Sequence, residues 1–268
     1  MHSLRYRNIH TQHHQKQQIK SHPLEDNLHV ASYKESMSRT ANQAMILTSA
    51  FKAKGPGGLS ASAETLDDLH GMTLSSVVSL SVQPRTLIQF NLQVPSSTSA
   101  KLHDLRWFAI HLLPPVKGSV ELVKTFSKGS KYLSKNHHAD NKNSDFGKLS
   151  TKPFIDLKPE QFIFSSQVYS TKNILVSSPY YSISDERRNT TSMELSKEKL
   201  DIPLLSSAER ILICSKDRVF KVDDHELWIG EVRDILIHTD FHQNTKSGGL
   251  LFFNRSFHKL GACLSDTE

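Results

Sequence analysis

The chain has 268 residues, 37% of them hydrophobic, carries a formal net charge of +6 and holds two cysteines. That length and apolar content suffice for one large domain or two modest ones, while no run reaches the roughly 18 to 20 apolar residues a membrane-crossing helix needs. Cys214 and Cys263 are too few for a disulfide scaffold and lack the CxxC spacing of a zinc or redox site, so they read as reduced thiols of an intracellular protein.

Residues 1–40 hold six Lys/Arg against three Asp/Glu and residues 117–152 hold eight against three, so the rest of the chain sums to −2. A nucleic-acid domain concentrates basic side chains on its folded face, interleaved with aromatics; here they lie in a tail and an insertion, and no specific nucleic-acid partner is expected.

In chain order, residues 1–40 read as a disordered tail. Arg5, Arg7, Lys16 and Lys20 precede the first acid, Glu25, and an acid-poor basic N-terminus is the composition of a mitochondrial presequence; a plain cytoplasmic tail is the alternative. His10, His13, His14 and His22 have no acids or thiols at fixed spacing, so they predict solvated residues and no metal site. The sequons at Asn189 and Asn254 matter only on a secreted chain, and nothing resembles a secretory signal peptide.

Residues 41–268 form the domain. Ala44 to Phe51 is a compact apolar run closed by Lys54-Gly-Pro-Gly-Gly, a buried strand entering a turn. Arg85 to Gln93 reads as a strand, Ser97 to Leu105 as a short helix, and Trp107 to Leu113 as a strand stopped by Pro114 and Pro115. Ser119 to Ser127 reads as a helix. Loop insertions are expected over 128–152, where Lys135 to Asp145 is polar and of low complexity, and over 180–200. Strand-like runs return at Gln161–Tyr169, Ile211–Phe220, Glu226–His238 and Leu250–Phe253. Many strands broken by turns with few helices predict a β-barrel with peripheral helices.

Several motif readings fail. HELWI at His225–Ile229 lacks the second histidine of HExxH. The glycine-rich Lys54–Ser60 has no lysine after its last glycine, so it is a turn and not a P-loop. There is no GxSxG nucleophile elbow and no GxGxxG unit.

Five blocks remain, in order: AMILTSA at Ala44–Ala50, GMTLSS at Gly71–Ser76, a PS segment from Pro95 to Leu102 followed by FAIHLL at Phe108–Leu113, IPLL at Ile202–Leu205, and DHELWIGEV at Asp224–Val232 leading to LLFFNRSFHKLG at Leu250–Gly261. Together they resemble the flavin reductase-like family in its eukaryotic or fungal branch, over roughly residues 42–113 and 200–261. The resemblance implies a mainly β fold, an FMN-binding split β-barrel of Greek-key type with a few peripheral helices. It implies FMN as cofactor, with FAD as alternative, NAD(P)H as co-substrate, and a homodimer with flavin near the subunit interface.

A flavin phosphate needs convergent donors without bulk in the way, which backbone amides and small hydroxyls supply. Thr73, Ser75, Ser76, Ser96, Ser97 and Thr98 are such donors in two segments. Gly71 would allow close backbone approach, and Met72 with Leu74 would flank the ring. The family's flavin lies along strand backbones, which makes Thr48, Phe90 and Leu92 secondary candidates for cofactor binding. His225 is the candidate catalytic residue, positioning the reduced nicotinamide, because hydride transfer between stacked rings needs orientation more than acid–base chemistry.

The implied function is hydride transfer from NAD(P)H to flavin. Three departures motivate the alternative of a non-catalytic interaction or assembly module: His111 where the family usually has Asn, Asp223 where Gly commonly precedes the DH pair, and the insertion before IPLL.

Overall fold

A computed structural model of the chain describes residues 23–53, 66, 68–135, 153–169, 181–182, 190–191, 194–195, 197–241 and 246–263. The expected turn at 54–60, the first 22 residues, residues 136–152 of the expected insertion and much of 180–200 lie outside them. Two compact units divide at Thr40 and Ala41.

In the first unit, the expected tail contains a helix, α1, Pro23–Ser38. Proline is preorganised for the first helical position, and Arg39 pairs with Glu35 at 2.9 Å one turn back. Leu28 and Tyr33 are exposed. The apolar residues follow no helical period, which hid α1 from the sequence reading.

The second unit is mainly β. Its main antiparallel sheet joins β2 (Met45–Ser49), β4 (Gly71–Leu74), β5 (Val78–Ser81), β6 (Leu87–Gln93), β7 (Trp107–Leu112), β12 (Arg210–Val222) and β13 (His225–His238) in the order β4-β2-β7-β12-β13-β6-β5. The two end strands are consecutive in sequence. Only Ser75, Ser76 and Val77 separate β4 from β5, and such a link reaches at most about 14 Å. The sheet therefore curls until its edges nearly meet. Among the described residues no ladder pairs β4 with β5, so the barrel stays open along that seam, in keeping with the expected mainly β split-barrel fold.

Side chains of these strands alternate between two cores, as the two-residue period of a strand requires. The inner one holds Leu47, Leu74, Phe90, Leu92, Leu102, Phe108, Ile110 and Trp228; Phe90 meets Phe108 edge-on at 5.4 Å and stacks on Trp228 at 6.1 Å. The outer one sets Ile46, Ala109, Ile211 and Ile213 of the sheet against Val123, Phe126, Phe154 and Ile202. Val123 and Phe126 come from α3, Lys117–Lys135, which extends the expected Ser119–Ser127 helix into the segment read as a loop.

The run Gln161–Tyr169 changes structure midway. Strand β8 (Phe162–Phe164) pairs with β11 (Pro203–Leu205), and Ser165–Tyr169 is a short helix, α4. Asp201 makes the switch: it accepts hydrogen bonds from Ser165 Oγ at 2.6 Å, Ser166 N at 2.9 Å and Ser166 Oγ at 2.5 Å, satisfying donors that open a helix. The smaller strands are β1 (Asn42–Gln43), β3 (Phe51–Lys52), β9 (Tyr181–Ser182), β10 (Leu200–Asp201), β14 (Leu251–Phe253) and β15 (Ser256–His258). Among the described residues no helix is long and apolar enough to cross a membrane.

Candidate functional site

Strand β6 is the ruler of the site. Near its C-terminal end, the Asn91 amide donates to Ser76 Oγ at 2.9 Å, which fixes the β4–β5 link beside it. Two residues later Gln93 stands opposite His225. Three more residues bring the chain to Ser96, the N-cap of helix α2, Ser97–Leu105. Both hydroxyl segments and His225 thus converge on one end of β6.

The six hydroxyls divide by what they already do. Thr73 donates to the Val123 carbonyl of α3 at 2.8 Å, on the outer face. Ser76 is held by Asn91, and Ser96 Oγ accepts from the Ser99 amide at 3.3 Å, the N-cap bond that starts α2. Among the described residues the hydroxyls of Ser75, Ser97 and Thr98 make no hydrogen bond; Ser75 and Ser97 are exposed and Thr98 is buried. Ser75, Ser96, Ser97 and Thr98 keep an O–H that suits an anionic group, whereas that of Thr73 is given to Val123.

The expected role of Gly71 changes as well. A Cβ there would lie 2.6 Å from Phe126 Cε1 and 2.8 Å from the Leu47 carbonyl, so its missing side chain admits the α3 ring and not a ligand. Leu74 is buried and Met72 packs against the same inner core. Thr48 is fully buried, with its hydroxyl donated to the Pro203 carbonyl at 2.7 Å. Phe90 and Leu92 are buried in the inner core. The side chains of these secondary candidates fill the protein.

His225 opens β13 and is exposed. Its Nδ1 donates to Asp224 Oδ1 at 2.7 Å, and Gln93 Nε2 reaches the other Asp224 oxygen at 3.2 Å. The hydrogen bond from His225, helped by Gln93, holds the Asp224 carboxyl below its usual range. The pair orients the imidazole with Nε2 available to a ligand.

Two departures from the family pattern lie outside this chemistry. His111 is fully buried in β7, with Nδ1 3.0 Å from the Ile46 carbonyl and Nε2 lacking a partner; burial pushes its pKa down to about 4. Its register mates are Ile46 and Ile211, which places it in the outer layer. Asp223 adopts φ +51 in the two-residue turn between Val222 and His225. Glycine takes that left-handed conformation freely, and Asp tolerates it better than most residues.

One group escaped the sequence reading. Glu226 shares the inward parity of Trp228 on β13, and its carboxylate accepts from Ser99 Oγ at 2.5 Å, Trp228 Nε1 at 3.0 Å and His103 Nε2 at 3.1 Å. Burial alone would raise its pKa, but these donors outweigh that and hold it below the ordinary value. The signal was present: strand alternation from Trp228 puts an acid on the barrel's inner face.

A cleft of about 570 Å³ lies at the other end of β6, lined by Gln83 to Thr86, Thr191 and Glu231 to Arg233 among others. Its two guanidiniums are already paired, Arg85 with Asp217 at 2.8 Å and Arg233 with Glu194 at 2.8 Å. Size alone marks this cleft, so the chemistry points to the hydroxyl end.

The backbone is similar to that of a nitrilotriacetate monooxygenase component B homolog from Mycobacterium thermoresistibile, 12% identical over 88% of this chain and 89% of that one, with a TM-score of 0.50. The styrene monooxygenase flavin reductase of Pseudomonas putida S12 is 18% identical over 87% and 99%, with a TM-score of 0.48. An NADH:FAD oxidoreductase of Streptomyces globisporus C-1027, in complex with NAD and FAD fragments, is 15% identical over 89% and 95%, with a TM-score of 0.49. The flavin reductase like domain model matches residues 37–155 and 168–261, which is most of the sequence, and the chain belongs to that family.

Proposed function

We propose that this chain is an FMN-binding oxidoreductase of flavin reductase type, which transfers hydride from NAD(P)H to flavin. The observation that carries the reading is the convergence at the end of β6: Ser97 and Thr98 in the first turn of α2, Ser75 in the link that Ser76 ties to Asn91, and His225 opposite Gln93. A bound flavin supplies the two-electron acceptor. The chain supplies donors for a phosphate and an imidazole oriented by Asp224. FAD is the alternative flavin.

The positions of two departures also favour turnover over a purely structural role. His111 sits in the outer layer and Asp223 in a hairpin turn, so neither removes a group from the convergent end. A homodimer fits the outer face of the sheet, where Val78, Phe220 and Val222 are 49%, 48% and 55% exposed, since exposed apolar groups on one sheet face mark association surfaces. Import into mitochondria is proposed from residues 1–40, and a fluorescent protein fused to that segment tests it; diffuse cytoplasmic signal would reject it.

The decisive measurement is the flavin content and NAD(P)H oxidation of the purified full chain. Yellow protein that oxidises NAD(P)H with added FMN is expected. Colourless protein that neither takes up FMN nor oxidises NAD(P)H overturns the reading, and yellow protein without turnover favours a binding role.

A further inference from the structure

Glu226 lies between the two halves of the proposed site. Its neighbour His225 carries the imidazole on β13, and its own carboxylate reaches across to Ser99, in the first turn of α2, at 2.5 Å. The contact continues as a chain. His103, one turn further along α2, approaches Glu226 Oε1 through Nε2 at 3.1 Å, and its Nδ1 lies 3.1 Å from Lys216 Nζ on β12. Lysine carries only donors, so Nδ1 accepts and Nε2 bears the hydrogen given to Glu226. Beneath them Trp228 forms the floor: its indole donates to Glu226 at 3.0 Å, the His103 ring lies 4.7 Å from it, and the Lys216 ammonium stands 5.5 Å from its centroid.

This arrangement does more than cap a helix. Ser96 already caps α2, and the Arg106 amide closes it on the Leu102 carbonyl. The Lys216–His103–Glu226–Ser99 chain fixes where the finished helix stands relative to β12 and β13. Two donors from α2 and one from β13 converge on one carboxylate whose side chain is 16% exposed, and charge-assisted bonds of this kind are short, directional and roughly twice as strong as neutral ones. Its members bond one another across α2, β12 and β13, so what the chain supplies is geometry.

We propose that Glu226 is a positioning residue: it ties the first turn of α2, with Ser97 and Thr98, to the strand that carries His225, and so sets the distance between the phosphate and nicotinamide halves of the site. The proposal rests on the flavin reading above. Uniting the halves costs less when their separation is fixed before the ligand arrives.

The test compares the full chain with Glu226→Ala and Glu226→Gln. In the flavin-free protein, hydrogen exchange of the Ser97–Leu105 amides is expected to rise about tenfold in Glu226→Ala while β2 and β7 stay protected. FMN affinity is expected to fall about tenfold and the KM for NAD(P)H to rise with it. Glu226→Gln keeps a carbonyl oxygen for Ser99 and Trp228 and is expected to restore most of the affinity. Unchanged exchange in α2 overturns the tether. Looser α2 exchange with unchanged FMN affinity and unchanged KM overturns its role in the site. If the unaltered chain takes up no FMN, the flavin reading fails, visibly and separately, and the positioning role fails with it.

Discussion

The GMTLSS block runs through two regions of opposite character. In its first half Gly71 admits the Phe126 ring of α3 and Thr73 bonds an α3 carbonyl, while Met72 and Leu74 pack on the inner core. Its second half emerges at the barrel seam, where Ser75 is exposed beside the end of β6. A signature block is therefore not one site: Gly71 and Thr73 meet the helix, Met72 and Leu74 pack in the inner core, Ser76 holds β6 and Ser75 faces outside. Substitutions in the covered region should change stability and leave ligand binding alone, and those at the open end should do the reverse.

The largest effect that would sharpen this contrast belongs to His111. Burial lowers its folded pKa from 6.5 to about 4, so on acidification the unfolded chain takes up a proton before the folded one does. Stability is fully present above 6.5 and is lost as pH falls toward 4, by about 3 kcal/mol in all. Denaturant titrations across that range should show the loss, and His111→Leu should flatten it. An equal slope in the variant would mean that other groups govern acid unfolding.

Next comes Gly71→Ala. The added methyl has both a ring and a carbonyl in its way, and a cost of about 2 kcal/mol is expected from such overpacking, read as a lower denaturation midpoint with FMN affinity of the folded protein unchanged. A loss of affinity at full stability would break the comparison, because it would make Gly71 a ligand position.

At the open end, Ser75→Ala with Ser76→Ala should weaken FMN binding by about 1 to 3 kcal/mol. The single changes should part: Ser75→Ala accounts for the affinity, and Ser76→Ala for stability, since Ser76 holds Asn91. Isothermal titration of both singles decides it, and unchanged affinity in the double variant would move the phosphate elsewhere. The smallest effect is at the hairpin tip. Asp223→Gly should stabilise the fold by about 0.5 kcal/mol, because glycine adopts φ +51 without the steric cost, with NAD(P)H oxidation unaltered; destabilisation would mean that the Asp side chain holds the turn.

Much of the barrel was legible because its strands carry their own signals: alternation in Leu87–Gln93, length and β-branching in Arg210–Val222 and His225–His238, and the serine before α2. What failed locally was decided from far away. Ser165 and Ser166 open a helix because Asp201 lies beside them in space, and no window around Gln161–Tyr169 contains that residue. The site divides in the same manner. Ser75, Ser97 and His225 were legible as polar residues within matched blocks, whereas Thr48 and Thr73 looked equivalent until their distant acceptors, Pro203 and Val123, were known. Glu226 lies within the DHELWIGEV block beside the more conspicuous His225, and only the parity of β13 marks it.

The three-residue link from Ser75 to Val77 is also the stretch of backbone that crosses the open seam between β4 and β5. A single peptide-bond scission there would leave both edge strands without a covalent reason to stay together. On the flavin reading, a ligand resting on Ser75 should slow cleavage of that stretch in limited proteolysis, so that the nicking rate reports the occupancy of the site.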